Sequence, residues 1–439
     1  MRYVIIGNSA AAVGAVEAIR PHDADHPITI VADEPHHAYS RPLISYLLGG
    51  LVDESRMSYR PADFYEKHDV QTMLGVKVVG IDTAAQTLTL TGGGTVPYDR
   101  LLISTGGTPI VPPLPGAGDV PGIFTFTTWE DARRIARYID DYRVERALVV
   151  GGGLIGLKTI EALLARGIQV TVVELADRIL GTIFDVTGSR IAEAILRREG
   201  VDLRTGTTAE EVVVRGGRVD HTVLHNGERV DCDMMVFSIG VRPNVGWIPA
   251  SAGIEIGRGI RADLHMQTTA EGVYAAGDCV EAHDMLLGTS RVVAIWPNAY
   301  RQGHVAGCNM AGVEKRYDDG FAMNAIEVCG VPTISVGLTD APEGGENGAA
   351  SGYEVIDEYD RETLSYKKLI LHHDRPAGAR LMGAVLIGDI DRAGIYTGLI
   401  RDRVDVEPFR KHLLSGNFGL ISLPKGIRKH MVVGDGIEV

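Results

Sequence analysis

The stretch Val149–Leu164, VVGGGLIGLKTIEALL, carries an apolar strand into a glycine turn and out into a helix. The strand starts at Arg146 (RALVV), the turn supplies Gly151, Gly153 and Gly156, and the strand after the helix, IQVTVVE, ends in Glu174. In that order these pieces make a βαβ unit able to hold a dinucleotide. The first glycine allows the tight turn, the second lets backbone approach a pyrophosphate, and the third lets helix and strand pack closely. Backbone N–H groups from Gly151 to Gly156, including those of Leu154 and Ile155, then face the phosphates at a helix N-terminus. Glu174 welcomes a free ribose 2′-hydroxyl and repels a 2′-phosphate, so NADH is expected over NADPH, with Arg178 four residues on softening that preference. Lys158 is the unusual letter: a lysine expected on the first turn of a helix built to receive phosphate.

The same pattern recurs at the N-terminus, where RYVIIGNSAAAVGAVEAI runs from strand through turn to helix and HPITIVADE gives the next strand. Gly7 and Ala12 fit the first and third glycine positions, Ser9 stands at the second, and Ala10 opens the helix. Either Asp33 or Glu34, at the end of the second strand, is placed to hold a ribose. Three shorter signatures follow, each an apolar strand ending in a glycine turn. They are LLISTGGTP with Thr105 and Gly106, MMVFSIGVRPN with Gly240, and GVYAAGDC with Gly277 and Asp278.

The 439 residues exceed what one core supports, so two or three domains are expected. Lys and Arg total 43 against 57 Asp and Glu, a net charge of −14 that disfavours nucleic acid and anionic lipid. Cys232, Cys279, Cys308 and Cys329 form no C-x-x-C pair, so no metal, iron–sulfur cluster or disulfide framework is expected. The adjacent pairs His36–His37 and His372–His373 have diverging side chains and suggest no metal either. The opening MRYVIIG is already a buried strand, and no apolar run reaches membrane-spanning length, so the expected place is the cytoplasm, without a membrane span.

Together these motifs closely resemble the FAD- and pyridine-nucleotide-dependent oxidoreductases that include rubredoxin reductases, NADH oxidases and the flavin part of NADH nitrite reductases. The resemblance covers essentially the whole chain and implies an α/β fold with two Rossmann-like dinucleotide-binding domains and a C-terminal α+β interface domain. It implies an FAD domain from residues 1–112 and 247–325, an NAD domain at 113–246 interrupting it, and the interface domain at 326–439. Family likeness assigns Asp278 to the flavin ribityl chain and points to Glu34 for the FAD ribose. It sets Arg41 and Pro42, in YSRPLISYLLGG, near the isoalloxazine and ADP phosphates. IWPNAYRQGHVAGCNMAG is similar to the helix beside the flavin ring, with Trp296 a candidate to stack near it, and YKKLILHHDRPAGARLMGAVLIGD to the C-terminal sheet.

Many such proteins carry a redox cysteine after the second strand, where this chain has Pro42 and Leu43, so thiol-based disulfide or peroxide chemistry is not expected. Cys329, in the strand-like run VCGVPTISVG, and Cys279, beside Asp278, are expected to be buried and inert. The family's usual flavin-facing glutamate, partnered by a lysine after the RPxLS segment, is replaced here by Lys158 and Tyr46. One cation would therefore remain, carried by the NAD domain, favouring reduced FAD and helping to position the nicotinamide. The expected function is hydride exchange between NAD(H) and FAD, followed by electron transfer to or from a separate iron–sulfur protein or subunit. The resemblance extends to the FAD subunit of phenylglyoxylate dehydrogenase-type complexes, so an oligomer or complex subunit is expected. Direct oxidation by oxygen and a non-catalytic, nucleotide-responsive flavoprotein are the alternatives. The acidic TDAPEGGENGAASGYE reads as a loop.

Overall fold

The computed structural model describes residues 1–118, 120–342, 352–374, 378–426 and 428. β1 (Tyr3–Ile6) is buried at every position, as a parallel strand covered on both faces must be. It turns through Gly7 into α1 (Ala10–Ile19), and β2 (Ile28–Ala32) returns parallel to β1. β3 (Val70–Leu74), β4 (Arg100–Ile103) and β5 (Ile123–Thr125) follow. The second βαβ unit comprises β6 (Arg146–Val150), α2 (Leu154–Ala165) and β7 (Gln169–Glu174). After it come α3 (Val186–Arg198), β8 (Met234–Phe237), β9 (Val273–Ala275) and α4 (Trp296–Met310). The chain then forms β10 (Met323–Val328), β11 (Val331–Gly337), β12 (Tyr353–Asp360), β13 (Ser365–Asp374) and β14 (Gly378–Ile387).

Beside four smaller sheets, the described residues form two parallel sheets and one five-stranded antiparallel sheet. The first has the order β9-β4-β1-β2-β3. Its edge strand β9 pairs Val273 with Leu101, so the N-terminal sheet is completed by chain that arrives after the whole second βαβ unit. In the second, β7, β6, β8 and β5 lie side by side and parallel. Contacts gather the described residues into two compact units: Met1–Val173 with Thr207–Gly320, and Glu174–Gly206 with Phe321–Val439. Residues 174–206, expected within the inserted region 113–246, thus group with the C-terminal part of the chain.

In the first unit α1 and α4 pack backbone to backbone. A Cβ on Gly303 would stand 1.9 Å from the carbonyl oxygen of Ala11, so only glycine permits this approach. The contact brings the buried Gln302 to the turn after β9, where its Oε1 accepts from the Gly277 N–H at 2.8 Å.

In the second unit the antiparallel sheet has the order β10-β11-β14-β13-β12. The strand-like reading of VCGVPTISVG is corrected at its start: Cys329 and Gly330 form the two-residue turn between β10 and β11. Both have positive φ (44° and 87°), the geometry of a primed hairpin turn, and Cys329 is half-buried where burial was expected. Of the loop read in TDAPEGGENGAASGYE, residues 343–351 lie outside the described residues. Among the described residues no helix is long and apolar enough to cross a membrane.

Candidate functional site

One cavity in the first unit, of about 440 Å³, gathers most of the residues singled out in the sequence. Gly7, Ser9 and Ala10 from the first turn line it, with Asp33 and Glu34 from the end of β2, and Arg41 and Pro42. So do Thr105 and Gly106 after β4, Gly277 and Asp278 after β9, and Trp296 at the head of α4. Leu154, Ile155 and Lys158 from α2 line the same cavity, so the second fingerprint helix opens onto the site built by the first. Ala12 does not: it is fully buried in α1, packing the helix as the third small position requires.

Glu34 is held from two sides. Its Oε2 accepts from the Tyr39 hydroxyl at 2.7 Å and its Oε1 forms an ion pair with Arg41. Tyr39 is itself buried and accepts from the Trp129 N–H at 3.1 Å; burial, reinforced by the neighbouring carboxylate, pushes its hydroxyl pKa up, so it stays a donor. Arg41 also donates to the carbonyl of Thr127 at 2.9 Å. Asp33, by contrast, is exposed.

Asp278 takes no hydrogen bond from any described residue. Burial raises its carboxyl pKa, an effect opposed by the charge of Arg41. A poorly hydrated carboxylate that lacks protein donors, beside a glycine turn, suits hydroxyl donors from a ligand. Together with the helix-head amides around Ser9 and Ala10, it makes the cavity fit FAD. Asp278 would hold the ribityl hydroxyls, the amides the pyrophosphate, and Glu34 the ribose.

The fingerprint on α2 is built as its letters require. Gly151 has φ 109°, and a Cβ on Gly156 would sit 2.0 Å from the Gly151 carbonyl oxygen. Gly153 is the N-cap and carries no capping side chain, leaving the first amides of the helix for a ligand. Neither Gly151, Gly153 nor Gly156 lines the cavity. Gly240, φ 103°, offers its carbonyl to the Ile110 N–H and lies outside the lining as well. Glu174 ends β7, where its Oε1 accepts from the Ala176 N–H at 2.8 Å.

Two expectations about the lysine change. Lys158 is the fifth residue of α2, beyond its first turn. Its ammonium meets Glu161 Oε2 at 2.6 Å, because residues three apart on a helix share a face. The cation in the cavity wall is therefore paired, by a carboxylate that does not itself line the cavity. Tyr46 is 39% exposed and outside the cavity lining, whereas Lys158 lines it. Trp296 lines the cavity and meets Tyr59 edge-on at 4.9 Å. Cys279 is fully buried, and burial pushes its thiol up to about 11.

Sequence reasoning passed over Asn8, His36, Tyr39, Lys77, Asn244 and Trp247, all of which line the cavity. Asn244 had a signal in the end of MMVFSIGVRPN: its backbone N–H donates to Gly106 and its carbonyl accepts from Thr105 Oγ1 at 2.8 Å, tying two glycine turns together. Lys77 stands in a stretch with no motif of its own, and His36 reads only as half of an adjacent histidine pair.

Comparison with known proteins agrees with this geometry. Residues 1–303 match the Pyridine nucleotide-disulphide oxidoreductase family, and residues 323–404 match the Rubredoxin NAD+ reductase C-terminal domain. The chain belongs to the pyridine nucleotide-disulphide oxidoreductase family. It is an FAD-containing NAD(P)H oxidoreductase with two dinucleotide-binding domains and a C-terminal antiparallel sheet. It is 32% identical over 94% of both chains to NADH-dependent phenylglyoxylate dehydrogenase subunit epsilon of Aromatoleum evansii. It is 31% identical over 93% of its length to the nitrite reductase [NAD(P)H] of Bacillus subtilis, spanning 48% of that protein. Among solved structures, the reductase in the covalent putidaredoxin reductase–putidaredoxin complex is similar with a TM-score of 0.81 and 26% identity. That match covers 93% of this chain and 94% of the other.

Proposed function

We propose that the protein exchanges hydride between NAD(H) and FAD and passes electrons to or from a separate iron–sulfur protein or subunit. The observation that carries this reading is the shared cavity: the FAD-type turns and the head of α2 open onto one space with no cysteine in its lining. FAD, when bound, supplies the step from a two-electron hydride to single electrons. The protein's part is placement. Asp278 and Glu34 anchor FAD, Ser9 and Ala10 offer helix-head amides to its phosphates, and Arg41 braces Glu34. Gly151, Gly153 and Gly156 shape a second phosphate turn, Glu174 accepts the ribose 2′-hydroxyl of NAD(H), and Lys158 sets the charge in the cavity wall. The division into an FAD part (1–112 and 247–325), an NAD part (113–246) and an interface part (326–439) belongs to this reading.

The absence of cysteine from the lining favours an acceptor outside the chain over an internal disulfide. Likeness to a phenylglyoxylate dehydrogenase epsilon subunit supports a finer reading: an NAD-reducing subunit fed by the clusters of a 2-oxoacid oxidoreductase. The test is anaerobic. NADH should bleach the flavin of the purified protein, and a reduced ferredoxin-type donor should drive NAD+ reduction. Failure of NADH to reduce the flavin overturns the enzyme reading. Rapid oxygen consumption without any transfer to or from an iron–sulfur protein favours an oxidase in its place.

A further inference from the structure

A second constellation belongs to the unit that groups Glu174–Gly206 with the C-terminal sheet. Asp185 is the N-cap of α3, its Oδ1 accepting from the Gly188 N–H at 3.0 Å. Its Oδ2 accepts from the Tyr366 hydroxyl at 2.8 Å and from the Lys368 ammonium at 3.1 Å. Lys368 also donates to Asp340 Oδ1 at 2.9 Å. Tyr366 and Lys368 are alternate residues of β13 and therefore share a face. The side chains of Lys368 and Asp185 are only 8% and 10% exposed.

Burying an ammonium and a carboxylate is costly before their attraction is counted. A serine or threonine at the cap would serve α3 comparably without that cost. What the ionic version adds is a fixed place in the sheet for one point of the chain. Asp185 closes the segment 175–184 that opens with Glu174. Ile179, Leu180, Ile183 and Phe184 in it are buried, and Leu180 is held at φ 54°, a conformation a leucine keeps only under constraint. At its other end the Ala176 N–H holds the Glu174 carboxylate. Asp185 is thus the anchored end of a segment whose other end contacts Glu174.

We propose that Tyr366 and Lys368 are positioning residues for the pyridine nucleotide: by holding Asp185 they set the 175–184 segment, and through it the carboxylate that receives the adenosine ribose. This rests on the reading of Glu174 as that carboxylate. The C-terminal sheet would then contribute to nucleotide affinity as well as to any contact with an electron partner.

The test uses the FAD-loaded protein and NAD+ as probe, with calorimetric affinity and amide hydrogen exchange as readouts. Tyr366→Phe removes one hydroxyl and no volume. It should weaken NAD+ roughly three- to tenfold and speed exchange within 175–184, leaving the flavin spectrum unchanged. Lys368→Met should do more, and Lys368→Arg should recover most of the loss. If Lys368→Met does not fold, the Tyr366→Phe result decides. Unaltered NAD+ affinity in Tyr366→Phe overturns the proposal, whether or not exchange in the segment rises. Glu174→Ala separates the two readings. If it weakens NAD+ while Tyr366→Phe does not, the ribose carboxylate stands and the positioning role falls. If Glu174→Ala has no effect on NAD+ affinity, the reading of Glu174 itself is lost.

Discussion

Lys158 and Glu161 meet at 2.6 Å on α2, with Lys158 in the wall of the proposed FAD cavity. Reduced FAD is more negative than oxidised FAD, so the two members of the pair act on its potential with opposite sign. Lys158→Ala removes the cation and leaves the carboxylate, and should lower the flavin potential by up to about 30 mV, the equivalent of about 1.4 kcal/mol for a two-electron couple. Glu161→Gln should raise it. A spectroscopic redox titration reads both shifts, and equal potentials in all three proteins would show that the pair serves only the helix surface. Glu174→Arg belongs to the same scale: it replaces repulsion of a 2′-phosphate by attraction, and the NADH:NADPH ratio of stopped-flow reduction rates should fall at least about tenfold. The fingerprint residues were legible because backbone geometry dictates their type: only small residues tolerate the turns at Gly7 and Gly151. The pairing of Lys158 was less so. Family pattern drew attention to Tyr46, while an ion-pair partner, Glu161, lay three residues ahead on the same helical face.

Among the elements, α2 depends on the closeness of its first turn to the turn it springs from. Gly156→Ala would set a Cβ 2.0 Å from the Gly151 carbonyl oxygen, a backbone atom with little freedom to yield. The helix head must then shift, costing about 1–3 kcal/mol as overpacking does, and NAD+ affinity should drop with it. Calorimetric titration together with a thermal melt tests this, and a variant equal to the parent in both would mean the turn is not a phosphate site. The inner strands of the two parallel sheets could be read directly, since strands covered on both faces are continuous apolar runs such as YVII and MMVF. The same cue misled at VCGVP, where an apolar run passes through the turn at Cys329 and Gly330 without a polar residue to mark it. The grouping of residues 174–206 with the C-terminal sheet had no local signal at all. It includes Asp185 meeting Lys368, 183 positions away, and periodicity within a short window carries nothing about such a pair.

For the molecule as a whole, the deciding question is how many electrons it stores. Three of the four cysteines, Cys232, Cys279 and Cys308, are buried, and none of the four lines the cavity. Burial pushes Cys232 and Cys279 up to about 11 and also raises Cys308, so these thiols stay protonated near neutral pH and are poor nucleophiles. Cys329, in its hairpin turn, is half-buried and also stands apart from the cavity. A thiol must reach the flavin, or a second thiol, to take up a further electron pair, and the four cysteines neither line the cavity nor form a disulfide. Anaerobic titration of the FAD-loaded protein with dithionite should therefore end at two electrons per flavin, with no thiolate-to-flavin charge-transfer band at long wavelength. NADH should reach the same endpoint. An iron–sulfur protein added to the reduced enzyme should reoxidise it in single-electron steps, because such an acceptor takes one electron at a time. Uptake of four electrons would show an acceptor within the chain itself and would remove the need for an external partner.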